Sequence, residues 1–374
     1  LNVYQCYADA PCPLFATSGA TAVDNGAPTA GAPVAAPAPS RVSETNTQER
    51  GVDEADIVKA DLRGYLYILS GHTLSVLDAH PADELDTAPL ATLDLATDES
   101  FFYARDLFLD ITAQRLVIFG ERSNSTGRSE AVSIFVDVSE PTAPVERLRL
   151  AVDGYGMEAR RIGARVHRVV GYQPTLPSWF FDGNDPLVQR REAYLSARNN
   201  GRDAEAEQLK KDIGNEINSR LRNAGADALL PKLRSQTPGA AESETVMACS
   251  AIAHPAVSEG LGFVLIDSFG TEGSARASSG LVNNAYIVYA SPNNLYLAQS
   301  SSGWFFAPSQ KEETAIYRLA LPSTGAASFQ GLGKVDGSVI GSYAFSEHEG
   351  FLRVASTESR FGPGRSESGN HLSV

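Results

Sequence analysis

The chain has 374 residues, and 31 Lys plus Arg against 45 Asp plus Glu give it a formal net charge of −14. Nucleic acid is excluded as a partner, because binding it needs clustered cations and the six lysines of this chain are scattered. The composition, with 43% hydrophobic and 20% charged residues, is typical of a folded globular protein. No apolar run approaches the roughly 18 to 20 residues that span a bilayer, so no transmembrane segment is expected.

Residues 1–15 form a short peptide with two cysteines, Cys6 and Cys12, which proline and small residues flank. A local disulfide between them is a candidate, and unpaired thiols are the alternative. A metal site is disfavoured because the chain lacks a second pair of soft ligands at a matching spacing. The third cysteine, Cys249, has small or apolar neighbours. It is predicted to be a buried thiol, with a bond to an N-terminal cysteine as the alternative.

Residues 16–48 are predicted to be a linker. Residues 16–41 are almost wholly Ala, Pro, Gly, Ser and Thr, and such a segment cannot bury enough apolar surface to fold. Linkers of this kind are common where a domain is held away from a membrane or cell wall. Leu1 does not begin a signal peptide, so we expect an interior piece of a longer precursor. Together these features indicate a secreted protein, or one of the periplasm or cell envelope.

Residues 49–374 carry short runs of apolar residues separated by Gly, Asn and Asp turns, which predicts an all-β domain. Paired runs recur, and their first members start near positions 65, 115 and 166, at spacings of 50 and 51 residues. This period suits the four-stranded blades of a β-propeller. The alternative, one or several β-sandwiches, predicts no regular period. Further pairs are expected between 166–171 and 263–267, between 286–290 and 294–297, and between 352–357 and 372–374.

A helical insertion is predicted at about 180–235. Leu209, Ile213, Ile217 and Leu221 recur at every fourth position, which is typical of an amphipathic helix that ends near Gly225. A second helix is expected from Leu187 to Arg198. The insertion is interpreted as a lid or a partner-docking arm, or alternatively as a cover for an exposed strand edge.

Residues 45–61, Thr-Asn-Thr-Gln-Glu-Arg-Gly-Val-Asp-Glu-Ala-Asp-Ile-Val-Lys-Ala-Asp, resemble the opening signature of a family of secreted bacterial and archaeal proteins with a β-propeller domain. Residues 337–357 resemble another signature of that family, and 288–297 and 314–318 are similar to it in order and spacing. The resemblance covers most of 45–374 and implies a β-propeller with no assigned catalytic activity.

Members of this family usually continue beyond the Leu-Arg-Val-Ala segment with further blades, whereas this sequence stops at Val374. A propeller closes by pairing its first and last blades. We therefore expect either a fragment, with a propeller that is incomplete at the C-terminus, or a ring that closes differently.

The densest acidic cluster comprises Asp53, Glu54, Asp56 and Asp61. Crowded carboxylate oxygens are the ligands that Ca²⁺ requires, so these four residues are candidate Ca²⁺ ligands. Their spacing is not that of an EF-hand loop, and the alternative is that they cap turns by accepting backbone hydrogen bonds. No other cofactor is expected.

Glu347, His348, Glu349 and Arg353 place two carboxylates, an imidazole and a guanidinium within seven residues, which suggests acid–base chemistry. Alternation along a strand would send the two glutamates to one face and His348 to the other. The preferred interpretation is therefore structural, with a glutamate and Arg353 forming a buried ion pair between adjacent blades.

Two aromatic clusters are candidate ligand-binding sites. Trp179 and Phe180 form one, and Trp304 and Phe305 form the other. If exposed, such rings stack on a sugar or anchor a partner protein, and if buried, they fill space beneath the helical insertion.

The sequence favours a binding or scaffolding module for protein or carbohydrate ligands, without catalytic residues. The alternative is an extracytoplasmic hydrolase or lyase with a site at the mouth of the propeller channel. The sequence contains no zinc-binding His-Glu-x-x-His motif, no nucleophile elbow and no phosphate-binding loop.

Overall fold

The computed structural model describes residues 47–80, 88–96, 102–123, 127–225, 229–255, 260–301, 312–362 and 365–374. They belong to a single compact unit that spans Arg41–Val374. Three predictions lie outside the described residues: the Cys6–Cys12 disulfide, almost all of the linker, and the Trp304 and Phe305 cluster.

The strands of this part of the chain, numbered β1 to β23 in chain order, form five sheets. Sheet 1 contains, in spatial order, β2 (Val58–Ala60), β3 (Tyr65–Ser70), β4 (Thr73–Asp78) and β5 (Ala91–Asp94). Sheet 2 contains β6 (Phe102–Asp110), β7 (Arg115–Ser123), β8 (Ser129–Asp137), β9 (Val145–Asp153), β12 (Lys232–Gln236) and β13 (Ser243–Val246), with β6 and β13 at its edges. Sheet 3 runs in the order β1 (Asp53–Glu54), β10 (Tyr155–Ile162), β11 (Arg165–Tyr172), β15 (Phe263–Gly270), β16 (Ala277–Val282) and β14 (Ile252–Ala253).

Sheet 4 contains β17 (Ile287–Ala290), β18 (Asn294–Ser301), β19 (Glu313–Ala320) and β20 (Ser328–Asp336). Sheet 5 contains β21 (Phe345–His348), β22 (Phe351–Gly362) and β23 (Arg365–Ser373). The predicted mainly β body is therefore confirmed. The predicted partner of β11 beyond the insertion, β15, pairs with it over the whole strand.

Consecutive sheets share hydrophobic clusters. Tyr67 of sheet 1 belongs to the same cluster as Leu107 of sheet 2, and Phe135 of sheet 2 meets Phe269 of sheet 3 edge-on at 5.3 Å between ring centroids. Sheets 3 and 4 share a third cluster, and sheets 4 and 5 a fourth. Strands such as β17 are buried along their whole length, which explains their continuous rather than alternating apolar runs.

The two predicted helices are present. Helix α1 (Pro186–Asn199) begins after Asp185, whose side chain caps the backbone N–H of Leu187, and helix α2 (Asp203–Ala224) ends at Gly225, where φ is +82°. The helices pack mainly on each other and on a short 3-10 helix, Ser178–Phe180. The chain then returns to sheet 2, and β12, not a helix, covers the edge of β9.

The segment from Gln48 to Ala60, called the strap below, contacts the five sheets in reverse order. Gln48 Nε2 donates to the carbonyl of Ser342 (2.8 Å) just before sheet 5, and Glu49 Oε1 accepts a hydrogen bond from Tyr289 of sheet 4 (2.5 Å). Farther along the strap, β1 pairs with β10 of sheet 3, Asp56 bridges to Leu107 of sheet 2, and β2 belongs to sheet 1. The strap therefore ties all five sheets together, which accounts for the length of the signature in this segment.

Replacing Tyr289 with phenylalanine tests the strap. The Tyr289 hydroxyl donates to Glu49 and accepts from the backbone N–H of Glu347 (2.6 Å), so its loss leaves both groups without this partner. We expect the free energy of unfolding to fall by about 1 to 3 kcal/mol in a urea titration. The matched control is Tyr286→Phe, because Tyr286 is 57% exposed, and it should leave stability unchanged. Equal stability of the two variants would show that the strap contact contributes little.

Candidate ligand-binding cleft

A cleft of about 470 Å³ lies between sheets 4 and 5. Its volume is within the range of small-molecule and peptide side-chain pockets. The walls carry aliphatic, aromatic and cationic side chains: Ile316, Val335, Leu352 and Val354; Tyr296; and Arg318. The cleft therefore combines apolar surface with positive charge, although the chain as a whole is acidic.

Two glycines of β20 open the cleft. Gly331 pairs with Arg318 and Gly333 pairs with Ile316, so the glycines lie on the sheet face that looks toward sheet 5. A Cβ atom added to either glycine would meet no atom within 4 Å. Glycine is unfavourable within a strand, and its use here leaves empty space where side chains would otherwise fill the gap between stacked sheets.

A chain of hydrogen bonds orients Arg318 in the cleft wall. Its Nε donates to Asn294 Oδ1 (2.9 Å), and Asn294 Nδ2 donates to both carboxylate oxygens of Glu347 (3.0 Å each). Among the described residues, no atom accepts a hydrogen bond from the Nη atoms of Arg318. The guanidinium is held in one orientation while its outer edge remains available to a planar anion.

Glu347 is the centre of this network. Besides Asn294, Ser291 Oγ (2.7 Å) and Tyr296 Oη (2.9 Å) donate to its Oε2 atom. Burial, followed by the hydrogen bond to Glu347, raises the pKa of Tyr296 well above its ordinary value, so the hydroxyl stays protonated and donates to the carboxylate. Lys334 also borders the cleft, but it alternates with Gly333 along β20, so its side chain points to the other face of sheet 4, where it pairs with Glu313 (3.0 Å).

Glu347 links sheet 5 to sheet 4, as a structural residue between adjacent sheets should, but its partners differ from those of the predicted ion pair. Glu347 contacts Ser291, Asn294 and Tyr296. Arg353 is exposed and, among the described residues, makes no salt bridge with Glu347 or Glu349. Glu349 is 82% exposed in the turn between β21 and β22, where its φ is +52°. The alternation of β21 explains the difference, since it turns Glu347 toward sheet 4 and His348 toward solvent.

The predicted Ca²⁺ ligands contact cations and turn amides. Asp53 pairs with Lys59 (3.1 Å) and with Arg161 (2.9 Å), and Glu54 lies 4.0 Å from Arg160. Asp56 accepts from the N–H of Ile57 (2.7 Å), and Asp61 accepts from the N–H groups of Arg63 and Tyr65 and from Arg63 Nε (2.6 Å). Within the described ranges, no three His, Cys, Asp or Glu side chains gather as a metal site. Ca²⁺ binding here stays a prediction.

Trp179 and Phe180 lie half-buried at the base of the helix pair. Their ring centroids are 5.1 Å apart, and the Arg220 guanidinium lies 5.1 Å from the Trp179 ring. Arg220 also pairs with Asp185, the capping residue of α1 (2.7 Å). The cluster therefore contributes to the packing of the helix pair, and a ligand at these rings remains a prediction.

Cys249 requires a correction. It lies in a short 3-10 helix, Cys249–Ala251, and it is exposed, so the prediction of a buried thiol is wrong. Met247, two residues earlier, occupies the buried position instead, with 3% of its surface exposed.

Sequence reasoning missed a buried arginine between sheets 2 and 3. Arg168 donates to Ser133 Oγ and to the Gly120 carbonyl (2.9 Å each), and burial lowers its pKa to about 10. Burial also raises the pKa of nearby Asp106. A cavity of only about 10 Å³ separates these groups, which is room for about one water, so this cluster is not a ligand site. The sequence signal for a buried arginine was the position of Arg168 among valines, in the run Val-His-Arg-Val-Val.

Five successive, mainly antiparallel sheets that pack through shared cores define the class of a repeated all-β protein with a cleft of ligand size. Residues 42–374 match the family described as the beta propeller domain, and the chain belongs to that family. No curated protein matches the chain. In the part of the chain that the structure describes, no helix has the length and hydrophobicity needed to span a membrane.

Proposed function

We propose that this protein is a secreted or cell-envelope binding module that holds a protein or carbohydrate ligand in the cleft between sheets 4 and 5. The observation that carries the proposal is Arg318, a guanidinium oriented by Asn294 and Glu347 in the wall of a cleft of about 470 Å³. The predicted linker and the resemblance to secreted proteins support the extracytoplasmic location.

The chemistry of the cleft supports binding more than hydrolysis. A general acid or base must be able to exchange a proton with the substrate. Glu347, however, already accepts hydrogen bonds from Ser291, Asn294 and Tyr296, which occupy its oxygens. The other polar residues that line the cleft are Arg318, Lys334, Gln330 and Ser373, none of which has a carboxylate or an imidazole.

The test is a binding screen with arrays of synthetic peptides and acidic oligosaccharides, followed by titration of the hits with an Arg318→Gln variant. Because a charge-assisted hydrogen bond is worth about 1.5 to 3 kcal/mol, we expect the variant to bind about tenfold more weakly or worse.

The matched control is Arg353→Gln. Arg353 is an exposed arginine of β22 and does not line the cleft, so its replacement should leave affinity unchanged. The proposal fails if no member of either array binds, or if Arg318→Gln binds as tightly as the unmodified protein.

A further inference from the structure

We propose that Tyr103, Tyr155 and Tyr286 form a binding site for a neutral oligosaccharide, at the edge of the molecule where β6, β10 and β17 begin. None of the three tyrosines lines the cleft between sheets 4 and 5, so this site is a second one, beyond the proposed function. Three features carry the assignment: the repeated position of the tyrosines, the support beneath one ring and the uncharged polar groups beside the rings.

The three tyrosines occupy equivalent positions in sheets 2, 3 and 4. Tyr103 is the second residue of β6, Tyr155 is the first residue of β10, and Tyr286 immediately precedes β17. These are the strands through which the three sheets contact the strap. Each of the three sheets shares hydrophobic clusters with a sheet on either side, yet the tyrosines are 54%, 46% and 57% exposed. Exposed rings that recur in this way mark an interaction site.

Hydrogen bonds place the beginning of β6 beside the beginning of β10. Tyr103 pairs with Glu121 of β7. Glu121 Oε1 accepts a hydrogen bond from the N–H of Gly156 (3.2 Å), the residue that follows Tyr155. Arg105 Nη1 donates to the carbonyl of the same glycine (2.6 Å). Tyr103 and Tyr155 therefore lie at the same edge of the two sheets.

A further contact places the beginning of β10 beside the residues that lead into β17. Gln173 Nε2 donates to Asn284 Oδ1 (3.3 Å). Gln173 follows the end of β11 that pairs with Tyr155, and Asn284 lies two residues before Tyr286. The three tyrosines therefore follow one edge of the stacked sheets. Because packed sheets lie about 10 Å apart, the three rings suit a chain of several sugar units rather than a single sugar.

The backbone of β11 supports the ring of Tyr155. Tyr155 pairs with Gly171, and a Cβ atom added to Gly171 would clash with the tyrosine ring. The ring therefore occupies the space that a side chain at position 171 would take. A ring held in this way loses little rotamer freedom when a ligand stacks on it, which favours binding. Aromatic faces of this kind are the surfaces on which sugars stack.

The polar groups beside the rings favour an uncharged ligand. Asn284 Oδ1 accepts from the N–H of Gly262 (2.9 Å) and from Gln173. Among the described residues, Asn284 Nδ2 and Gln173 Oε1 have no hydrogen-bond partner, and both side chains are exposed. They supply a donor and an acceptor for the hydroxyl groups of a ligand. The charged groups at the beginning of β6, Arg105 and Glu121, lie 3.5 Å apart and compensate each other. Rings and amides without excess charge complement a neutral oligosaccharide.

The experiment is isothermal titration calorimetry of the full chain with linear hexasaccharides of glucose, mannose and N-acetylglucosamine. We expect saturable binding of at least one of them, with an affinity that does not change when the salt concentration is raised, because no ion pair forms. The disaccharide of the same sugar should bind about tenfold more weakly, since it cannot span two rings.

Tyr286→Ala tests the rings with the least disturbance of the fold, because Tyr286 is the most exposed of the three tyrosines. We expect an unchanged melting temperature and an affinity for the hexasaccharide that falls about threefold to tenfold. Tyr155→Ala should give a similar loss of affinity, and Tyr286→Trp should retain binding because a ring is still present. The matched control is Phe181→Ala, since Phe181 is an exposed ring beside the helix pair, and it should leave the affinity unchanged.

The outcomes separate this site from its alternatives. The inference is overturned if no hexasaccharide binds, or if neither Tyr286→Ala nor Tyr155→Ala weakens binding. A loss of affinity in Phe181→Ala alone would assign the sugar to the base of the helix pair, and equal affinities of the disaccharide and the hexasaccharide would exclude a site that extends over several rings. Binding of a peptide that depends on Tyr286, without binding of any sugar, would also overturn the inference. None of these outcomes bears on the cleft, for which Arg318→Gln is the test.

Discussion

Replacing Arg234 with methionine is expected to lower the free energy of unfolding by about 3 to 5 kcal/mol, because it removes the counter-ion of the buried Asp153 carboxylate. Arg234 Nη1 lies 2.6 Å from Asp153 Oδ1 and 3.0 Å from Glu130 Oε1. The three side chains are 9%, 10% and 1% exposed. Guanidinium chloride denaturation at pH 7 measures the loss.

The position of this network explains the large effect. Arg234 lies on β12, the strand that joins sheet 2 after the helical insertion, and it contacts carboxylates on β8 and β9. Arg276, which precedes β16 of sheet 3, donates to the carbonyl of Arg234 (2.8 Å). Because Arg122 still pairs with Glu130 (2.7 Å), the unpaired charge in the variant falls mainly on Asp153.

Lys232→Met is the matched control on the same strand. Lys232 pairs with Glu244 (2.7 Å), which is also a partner of Arg234, but the Lys232 and Glu244 side chains are 43% and 41% exposed. An exposed pair of this kind contributes about 0 to 1 kcal/mol. If Arg234→Met lowers the free energy of unfolding no more than Lys232→Met does, the expectation that the Arg234 network contributes as a buried ion pair is wrong.

The strand pairs could be predicted from the sequence because sheets that are covered on both faces need continuous apolar runs. The period of about 50 residues, however, began at β3, β7 and β11, at Tyr65, Arg115 and Arg165, and each of these strands follows another strand of its own sheet. The strands that precede β7 and β11, namely β6 and β10, contain bulges that break the alternation. A bulge shifts the side-chain pattern by one residue, so these strands had no readable period.

The cleft could not be predicted, because it depends on strand register. Arg318 pairs with Tyr296 on one side and with Gly331 on the other, and Glu347 reaches the same place from another sheet. The sequence identified Glu347 as structural but gave Arg318 no role. A glycine within a strand indicates only a bulge or a close approach, and it does not tell which side chain faces the space.

The role of the acidic cluster, Asp53, Glu54, Asp56 and Asp61, could not be predicted from the sequence either. Four carboxylates in a short segment are compatible with a cation site or with capped turns and ion pairs, and the choice depends on residues distant in sequence. Arg161, which pairs with Asp53, is 108 residues away. Only the pairing of β1 with β10 brings the two charges together.

Acidification from pH 7.5 to pH 4.5 is expected to cost the protein about 2 kcal/mol of stability through one residue, His167. Burial, and then the charge of Arg165, lowers the pKa of His167 from 6.5 to about 4. The imidazole is 2% exposed and its Nδ1 lies 2.9 Å from Ser268 Oγ. Since the unfolded chain takes up a proton below about pH 6.5 and the folded chain does not, this stability is complete above pH 6.5 and is lost as the pH falls toward 4.

Comparison with a His167→Gln variant isolates this effect from other groups that titrate in the same range. Glutamine does not titrate and can still hydrogen-bond to Ser268, so the difference in unfolding free energy between the unmodified protein and the variant should fall by about 2 kcal/mol between pH 7.5 and pH 4.5. Urea titrations at a series of pH values measure this difference. His254→Gln, at an exposed position, is the control substitution. A difference for His167→Gln that is independent of pH would show that the folded protein protonates this imidazole as readily as the unfolded chain does.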